Sequence, residues 1–233
     1  MLDRSMRESL KAITLDLDDT LWPVDRVIER AERILHEWCE RHAPAVARAL
    51  PPLQFALYRR ALAAEMPAIA HDYTALRLVA LRRALKEYGE DETLAQTAMD
   101  VFMAARNEIE FFPDALDALG RLCKRYPLIA LSNGNADVAR IGIDHFFTAV
   151  VNARSVGFSK PDRRIFEAAC ACLRLRPEEV LHVGDDPDLD VRGALAAGKR
   201  CAWINRAGRQ WSGDPVDMVQ FPHLTALCEW LGV

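Results

Sequence analysis

Two aspartates two residues apart, Asp16 and Asp18, follow the apolar run Ala12-Ile13-Thr14-Leu15 in the segment Asp16-Leu17-Asp18-Asp19-Thr20. In an extended chain, residues two apart point to the same side, so the two carboxylates crowd each other. Like charges that close are held there by a cation or by a chemical role. The chemistry open to such a pair is nucleophilic attack by one carboxylate with proton transfer by the other, and ligation of a hard cation.

Three more polar clusters sit just beyond short apolar runs. Ser132-Asn133-Gly134-Asn135 follows Leu128–Leu131, Ser159-Lys160-Pro161 comes after the run at Ala149–Val151, and Gly184-Asp185-Asp186 follows Val180–Val183, with Asp190 in the next helical turn. In an open parallel sheet, ligands bind outside the carboxyl ends of the strands, so these clusters are expected at one edge.

A hydroxyl, a lysine and a group of carboxylates suit a phosphoryl group with a cation. Mg2+ takes octahedral oxygen ligation at about 2.0–2.1 Å and keeps several waters, so Asp16, Asp185 and a backbone carbonyl would suffice. Lys160 and Ser132 suit the remaining phosphoryl oxygens, helped by backbone N–H groups at strand-to-helix turns, and Asn133, Asp19 and Thr20 belong to the same phosphate-binding loops. Asp16 is the expected nucleophile and would form an aspartyl-phosphate. Asp18 is the expected acid for the departing alkoxide and then the base for water. Mg2+ and Lys160 neutralise the equatorial charge, so the predicted reaction is phosphoryl transfer.

The elements that must position these residues read as two kinds. Residues 24 to 108 carry apolar groups at helical spacing almost throughout, as in Val27-Ile28, Ile34-Leu35 and Trp38, with Pro51-Pro52 and Pro67 as punctuation and a helix from Tyr73 to Tyr88 stopping at Gly89. The rest alternates: a strand at 12–17, then helix 114–125, strand 128–131, a helix near 136–143, strand 149–151, helix 162–173, strand 180–183, helix 188–197 and strand 201–204. Such alternation predicts an α/β fold with a parallel sheet covered on both faces, the helical stretch being an insertion after the first strand. The expected domains are 1–21 with 113–233 as the α/β core and 22–112 as the helical insertion.

At 233 residues the chain has room for a sizeable core, and its net charge of −4 carries no electrostatic footprint for nucleic acid or an anionic membrane. An anionic substrate must be drawn in by local cations. The N-terminus, Met1 to Glu8, has no apolar stretch of the export type, and charge breaks every apolar run before it could span a bilayer. The six cysteines lack metal-site spacing and read as reduced thiols, so a cytoplasmic protein with a small phosphorylated substrate is expected.

Taken in order, Asp-x-Asp-x-Thr, Ser-Asn, Lys-Pro and Gly-Asp-Asp-Pro-Asp-Leu-Asp resemble the four motifs of the haloacid dehalogenase-like (HAD) hydrolase superfamily, and the resemblance runs the length of the chain. It implies a doubly wound Rossmannoid sheet with a helical-bundle cap. It also implies that Asp16 is nucleophile and metal ligand, Asp18 acid/base with its carbonyl on the metal, Ser132 and Lys160 phosphate binders, and Asp185 a metal ligand. Asp190 supports Lys160 or the metal's waters, with Asp186 a further supporting carboxylate. Dehalogenases of the superfamily lack a carboxylate at the position of Asp18, so the resemblance implies a phosphatase, with a phosphomutase or a silent binding module as alternatives. Glu65 to Arg77 and Leu181 to Asp186 are similar to phosphatases acting on flavin mononucleotide and on 5-amino-6-(5-phospho-D-ribitylamino)uracil in riboflavin synthesis; a broad sugar phosphate or phosphoglycolate phosphatase is the alternative.

Other polar residues have plainer readings. His182, inside a strand, is expected to be a satisfied buried histidine. His71-Asp72-Tyr73-Thr74 with Arg77 reads as a helix cap, with a substrate-facing role as the alternative. Trp203, Trp211 and Trp230 read as packing, and Trp22 as an aromatic near the site entrance.

Overall fold

The computed structural model describes residues 9–212 and 214–233. Met1 to Glu8, read above for the absence of an export signal, lies outside the described residues. The chain forms strand β1 (Ala12–Leu15) and then five helices, α1 (Val24–His42), α2 (Pro44–Ala49), α3 (Pro52–Glu65), α4 (Tyr73–Glu87) and α5 (Leu94–Arg106). There follow α6 (Ala115–Leu122), β2 (Leu128–Ser132), α7 (Val138–Ile141), β3 (Ala149–Asn152), α8 (Ala153–Val156), α9 (Arg163–Leu173) and β4 (Val180–Gly184). A π-helical turn, Pro187–Arg192, leads into α10 (Gly193–Ala196), and β5 (Arg200–Ile204), β6 (Val219–Phe221) and α11 (Leu224–Leu231) complete the chain.

The six strands make one parallel sheet in the order β3-β2-β1-β4-β5-β6. Every residue of β1, β2 and β4 is buried, which is why these strands are short apolar runs and not alternating ones. Ile129 and Leu131 of β2 pack with Ile165, Phe166 and Ala169 of α9.

The structure departs from the sequence reading at several edges. The strand expected over 12–17 stops at Leu15, and Asp19 takes a left-handed φ of 59° that turns the chain. The helix read over 188–197 begins as the π-helical turn, and the one near 136–143 is a single turn. β6 and α11 carry no sequence signal of their own kind that the alternation picks out; three residues, Val-Gln-Phe, at a sheet edge are too few to show a period.

The chain divides into two compact units: the residues up to Pro23 with Phe111–Gly134 and Val138–Val233, and Val24–Glu110 with Asn135–Asp137. In the second, α1 packs along α5, and α4 also packs on α5, around Leu35, Trp38, Phe55, Leu81 and Phe102. Pro44 and Pro52 open α2 and α3 at the first helical position, where no N–H is needed. Asp72 caps α4 by accepting from Thr74 N and Ala75 N. Arg77 is buried within this unit. Its guanidinium donates twice to Glu32, at 3.0 and 2.7 Å, lies 3.4 Å over the Phe102 ring, and is pushed down to about 10 by burial. Arg59 donates to the same Glu32 at 2.7 Å. The substrate-facing alternative for Arg77 is therefore corrected to a structural ion pair, because both carboxylate oxygens of Glu32 engage it.

In the first unit, polar side chains run along β1 and its neighbours. Thr14 pairs in register with His182, and Thr14 Oγ1 lies 2.9 Å from His182 Nδ1. Lys199 is buried after Gly198 and donates to Thr14 Oγ1 at 3.3 Å. Burial pushes its ammonium from the ordinary 10.5 down to about 8.

Two outcomes follow from these buried charges. Truncating Arg77 to Leu leaves Glu32 with one guanidinium and is expected to cost about 3 kcal/mol or more in urea unfolding, whereas Glu32→Gln with Arg77→Leu costs less than the sum of the single changes. For Lys199, folded and unfolded chains are both charged below pH 8, so the full burial penalty is present there. Between about 8 and 10.5 the folded chain binds fewer protons, and the penalty fades as pH rises. Lys199→Met should therefore be more stable than the parent at pH 7, by on the order of 2–3 kcal/mol, and the gap should close by pH 10.5. A gap that is constant over that range removes the burial penalty as its cause.

Candidate active site

The sheet order reverses direction between β1 and β4: the chain builds outward through β2 and β3, then returns to the other side of β1. This is the switch point at which open α/β sheets leave a crevice beyond their carboxyl ends. Asp16 leaves β1 there with its N–H bonded to Val183 O at 2.8 Å, and Asp185 leaves β4 beside it.

Lys160, from the loop before α9, is buried and donates to Asp16 Oδ1 and, at 2.6 Å, to Asp190 Oδ1. Asn133 fixes the lysine from behind, because its side chain accepts from Lys160 N at 2.7 Å and donates to Lys160 O at 3.0 Å. Asp190 rises from the π-helical turn and accepts three bonds: from Lys160, from His182 Nε2 at 2.8 Å, and from Asp186 N at 3.0 Å. Gly184 makes that approach feasible, since a Cβ there would lie 2.3 Å from Asp190 Cγ.

Asp16, Asp185 and Asp190 can each bring one oxygen within 4.8 Å of the others. One ammonium among three carboxylates leaves negative charge uncompensated. Burial, with Asp190 and Asp185 nearby, pushes Asp16 up despite the opposing pull of Lys160. Burial, with Asp190 and Asp19, pushes Asp185 up to about 7. Lys160 and His182 hold Asp190 well below the usual carboxylate range against its own burial.

The carboxylates that crowd Asp16 are thus Asp185 and Asp190 from distant segments. Asp18 takes a further contact, Trp22 Nε1 donating to Asp18 Oδ1 at 2.8 Å. Trp22 is fully buried and edge-on to Phe111, so its expected place at a site entrance is corrected: an indole N–H inside the protein needs an acceptor, and Asp18 is that acceptor.

Other expected residues take supporting positions. Thr20 Oγ1 lies 3.3 Å from Asp16 Oδ2 and 3.4 Å from Asp185 Oδ1, between the carboxylates. Asp19 supplies the left-handed turn, with its N–H on Trp22 O at 2.8 Å. Ser132 is buried at the end of β2, and its Oγ accepts from Gly134 N at 2.9 Å. Asp186 caps the π-helical turn, accepting from Asp188 N and Leu189 N. The side chain of Asn133, expected on phosphate, is instead committed to the lysine backbone, because both ends of its amide are used there. His182 is the satisfied buried histidine expected.

Three residues of the site escape a reading of the sequence. Trp203, read as packing only, donates its Nε1 to Asp185 O at 2.8 Å, and Arg209 donates to the same carbonyl at 2.6 Å. Arg206 joins Asp114, at 2.9 Å, to the Thr20 carbonyl, at 3.0 Å, and so anchors the first loop. A charged residue after a strand is the signal for Arg206, which follows β5 by the same rule that singles out Asp16 and Asp185.

The donor set fits a hard divalent cation. Asp16 and Asp185 offer oxygens with only long contacts on Asp16 Oδ2 and on both oxygens of Asp185, and among the described residues the cluster holds carboxylates alone, with no thiol or imidazole. Asp190 already accepts from three donors, Lys160 among them, so Asp16 and Asp185 carry the freer oxygens.

Comparison with known proteins agrees with this geometry. Residues 10–198 match the haloacid dehalogenase-like hydrolases. The chain is 34% identical over 222 residues to the 5-amino-6-(5-phospho-D-ribitylamino)uracil phosphatase YigB of Escherichia coli, covering 92% of this chain and 91% of that one. It is 31% identical to a phosphoserine phosphatase of Thermus thermophilus, with 86% and 90% covered. A crystal structure of a 2-haloacid dehalogenase from Pseudomonas syringae superposes with a TM-score of 0.90 at 34% identity, covering 96% of this chain and 98% of that one. The chain belongs to the haloacid dehalogenase-like hydrolase family.

Proposed function

We propose that the protein is a Mg2+-dependent phosphomonoesterase that works through an aspartyl-phosphate on Asp16, with 5-amino-6-(5-phospho-D-ribitylamino)uracil as its substrate. The observation that carries the reading is the trio at the switch point, with Asp16 and Lys160 buried and Asp185 half-buried, where a carboxylate nucleophile has an ammonium against it and an uncompensated carboxylate beside it. The likeness to the E. coli phosphatase over nine-tenths of both chains supports the substrate.

Asp16, Asp185 and the Asp18 carbonyl would hold the cation. When bound, it supplies positive charge that keeps Asp16 ionised and offsets the phosphoryl oxygens. A carboxylate oxygen of Asp16 attacks phosphorus while the bond from phosphorus to the substrate alkoxide breaks. Asp18 gives its proton to that alkoxide, then takes one from the water that attacks the acyl phosphate, which releases inorganic phosphate and restores both aspartates. Lys160 keeps its proton throughout, since Asp16 and Asp190 raise its affinity for it against the penalty of burial. Its ammonium and the Ser132 hydroxyl bind phosphoryl oxygens. Trp22 holds Asp18 at one oxygen, which fixes where the proton is delivered.

The dehalogenase-like neighbour sets a second reading, halide displacement by Asp16. Asp18 argues against it, because a halide leaves without a proton.

In steady-state assays Asp16→Asn should release phosphate at least about a thousandfold more slowly than the parent while keeping its near-UV circular dichroism. Retained turnover removes Asp16 as nucleophile. Chelation should abolish phosphate release and Mg2+ restore it. Across a panel of phosphorylated ribitylaminouracil, flavin mononucleotide, phosphoserine, phosphoglycolate and 2-chloropropionate, the first should give the highest kcat/KM. Equal rates on all phosphates would overturn the substrate, and chloride release would overturn the reaction class.

A further inference from the structure

The reaction as read makes no use of Thr14, His182 and Lys199, which are polar, buried and none more than 3% exposed. A hydroxyl, an imidazole and an ammonium inside an apolar sheet are costly unless they satisfy one another. They do so in a line. Lys199 Nζ is 3.3 Å from Thr14 Oγ1, Thr14 Oγ1 is 2.9 Å from His182 Nδ1, and His182 Nε2 is 2.8 Å from Asp190 Oδ1. Thr14 and Asp16 are two apart at the end of β1, and Thr14 is in register with His182, so the line runs beneath the reacting end of the sheet.

The direction of each hydrogen bond follows from what the groups are able to do. An ammonium only donates, so Thr14 Oγ1 accepts from Lys199 and keeps its own proton available for His182 Nδ1. Nδ1 is then an acceptor, and the ring proton sits on Nε2, where it is donated to Asp190. From the other end, an ionised Asp190 only accepts and requires a donor at Nε2. The Asp190 end fixes the tautomer, and the Lys199 end is compatible with it. Phe166 closes over the ring edge-on at 5.1 Å, and burial pushes His182 down to about 4, so the imidazole is neutral with one proton to place.

We infer that Thr14 and His182 are positioning residues: with Lys199 they form a one-directional hydrogen-bond chain that fixes Asp190, and through Asp190 the Lys160 ammonium, against Asp16. The catalytic part of this inference rests on the phosphatase reading; the bond polarity does not.

The test has two arms. Nitrogen-15 NMR of the histidine-labelled protein at pH 7, with His182 assigned by the spectrum of His182→Gln, should show a neutral ring protonated at Nε2. A ring protonated at Nδ1, or an imidazolium, overturns the chain. In the second arm Thr14→Val should lower kcat by about tenfold or more with KM changed by less than about twofold, and Thr14→Ser should restore most of it. A kcat in Thr14→Val close to the parent's, or a loss that Ser does not rescue, overturns the positioning role. If Thr14→Val does not fold, the NMR result decides. If the parent releases no phosphate, the phosphatase reading fails, and the tautomer still stands or falls on its own spectrum.

Discussion

The structure around the switch point depends on one buried cation. Lys160 sits between Asp16 and Asp190 with almost no exposure, and an ammonium in that position is stable only because two carboxylates and a fixed backbone surround it. Each neighbouring element is shaped to that requirement. Asn133, at the end of β2, holds the lysine backbone from both sides, and Gly184, at the end of β4, leaves the space that Asp190 needs. The π-helical turn raises Asp190 toward the sheet while Asp186 caps it from below. Removing Asp16 or Asp190 would take from the buried ammonium one of its two partners.

The same arrangement leaves charge to be balanced. Lys160 offsets Asp190 and part of Asp16, and Asp185 faces Asp16 with the long contacts of Thr20 between them. Burial then pushes Asp16 and Asp185 up, the opposite of what a nucleophile or a metal ligand needs. A hard cation held as proposed between them would resolve the conflict, and backbone anchors flank the gap. Trp203 and Arg209 hold the Asp185 carbonyl, while Arg206 with Asp114 holds that of Thr20. Preorganisation of this kind puts the cost of gathering like charges into the fold, where the apolar strands offset it.

What the sequence discloses follows from the same physics. Asp16, Lys160, Asp185 and Asp190 are legible because charged residues directly after buried apolar runs stand out, and a parallel sheet delivers all such positions to one edge. The alternation that predicts the sheet is strong for β1 to β5 and absent for the three-residue β6. The strand ends at Leu15 and Asp19 turns the backbone, and the approach to Asp16 of carboxylates some 170 positions away, Asp185 and Asp190, has no local pattern to announce it. Contacts such as Trp22 with Asp18, Asn133 with Lys160, or Arg206 with Thr20 have no local pattern at all; a tryptophan or an amide looks the same in a sequence whether it packs or donates. Trp203 reads as packing on that account, and it both packs and donates.

The strand order explains why these polar residues are tolerated together. With β1 at the middle of the sheet, flanked by β2 and β4, the polar groups beneath its carboxyl end, Thr14, His182 and Lys199, are buried. Polar side chains placed there are satisfied in series, each accepting from one neighbour and donating to the next. Here one end is Lys199 and the other is Asp190, whose remaining bonds go to Lys160 and to the Asp186 amide. An apolar replacement inside the series would strand a donor or an acceptor with nothing to bond, so the fold's stability and the aim of the reacting groups are held by the same few hydrogen bonds.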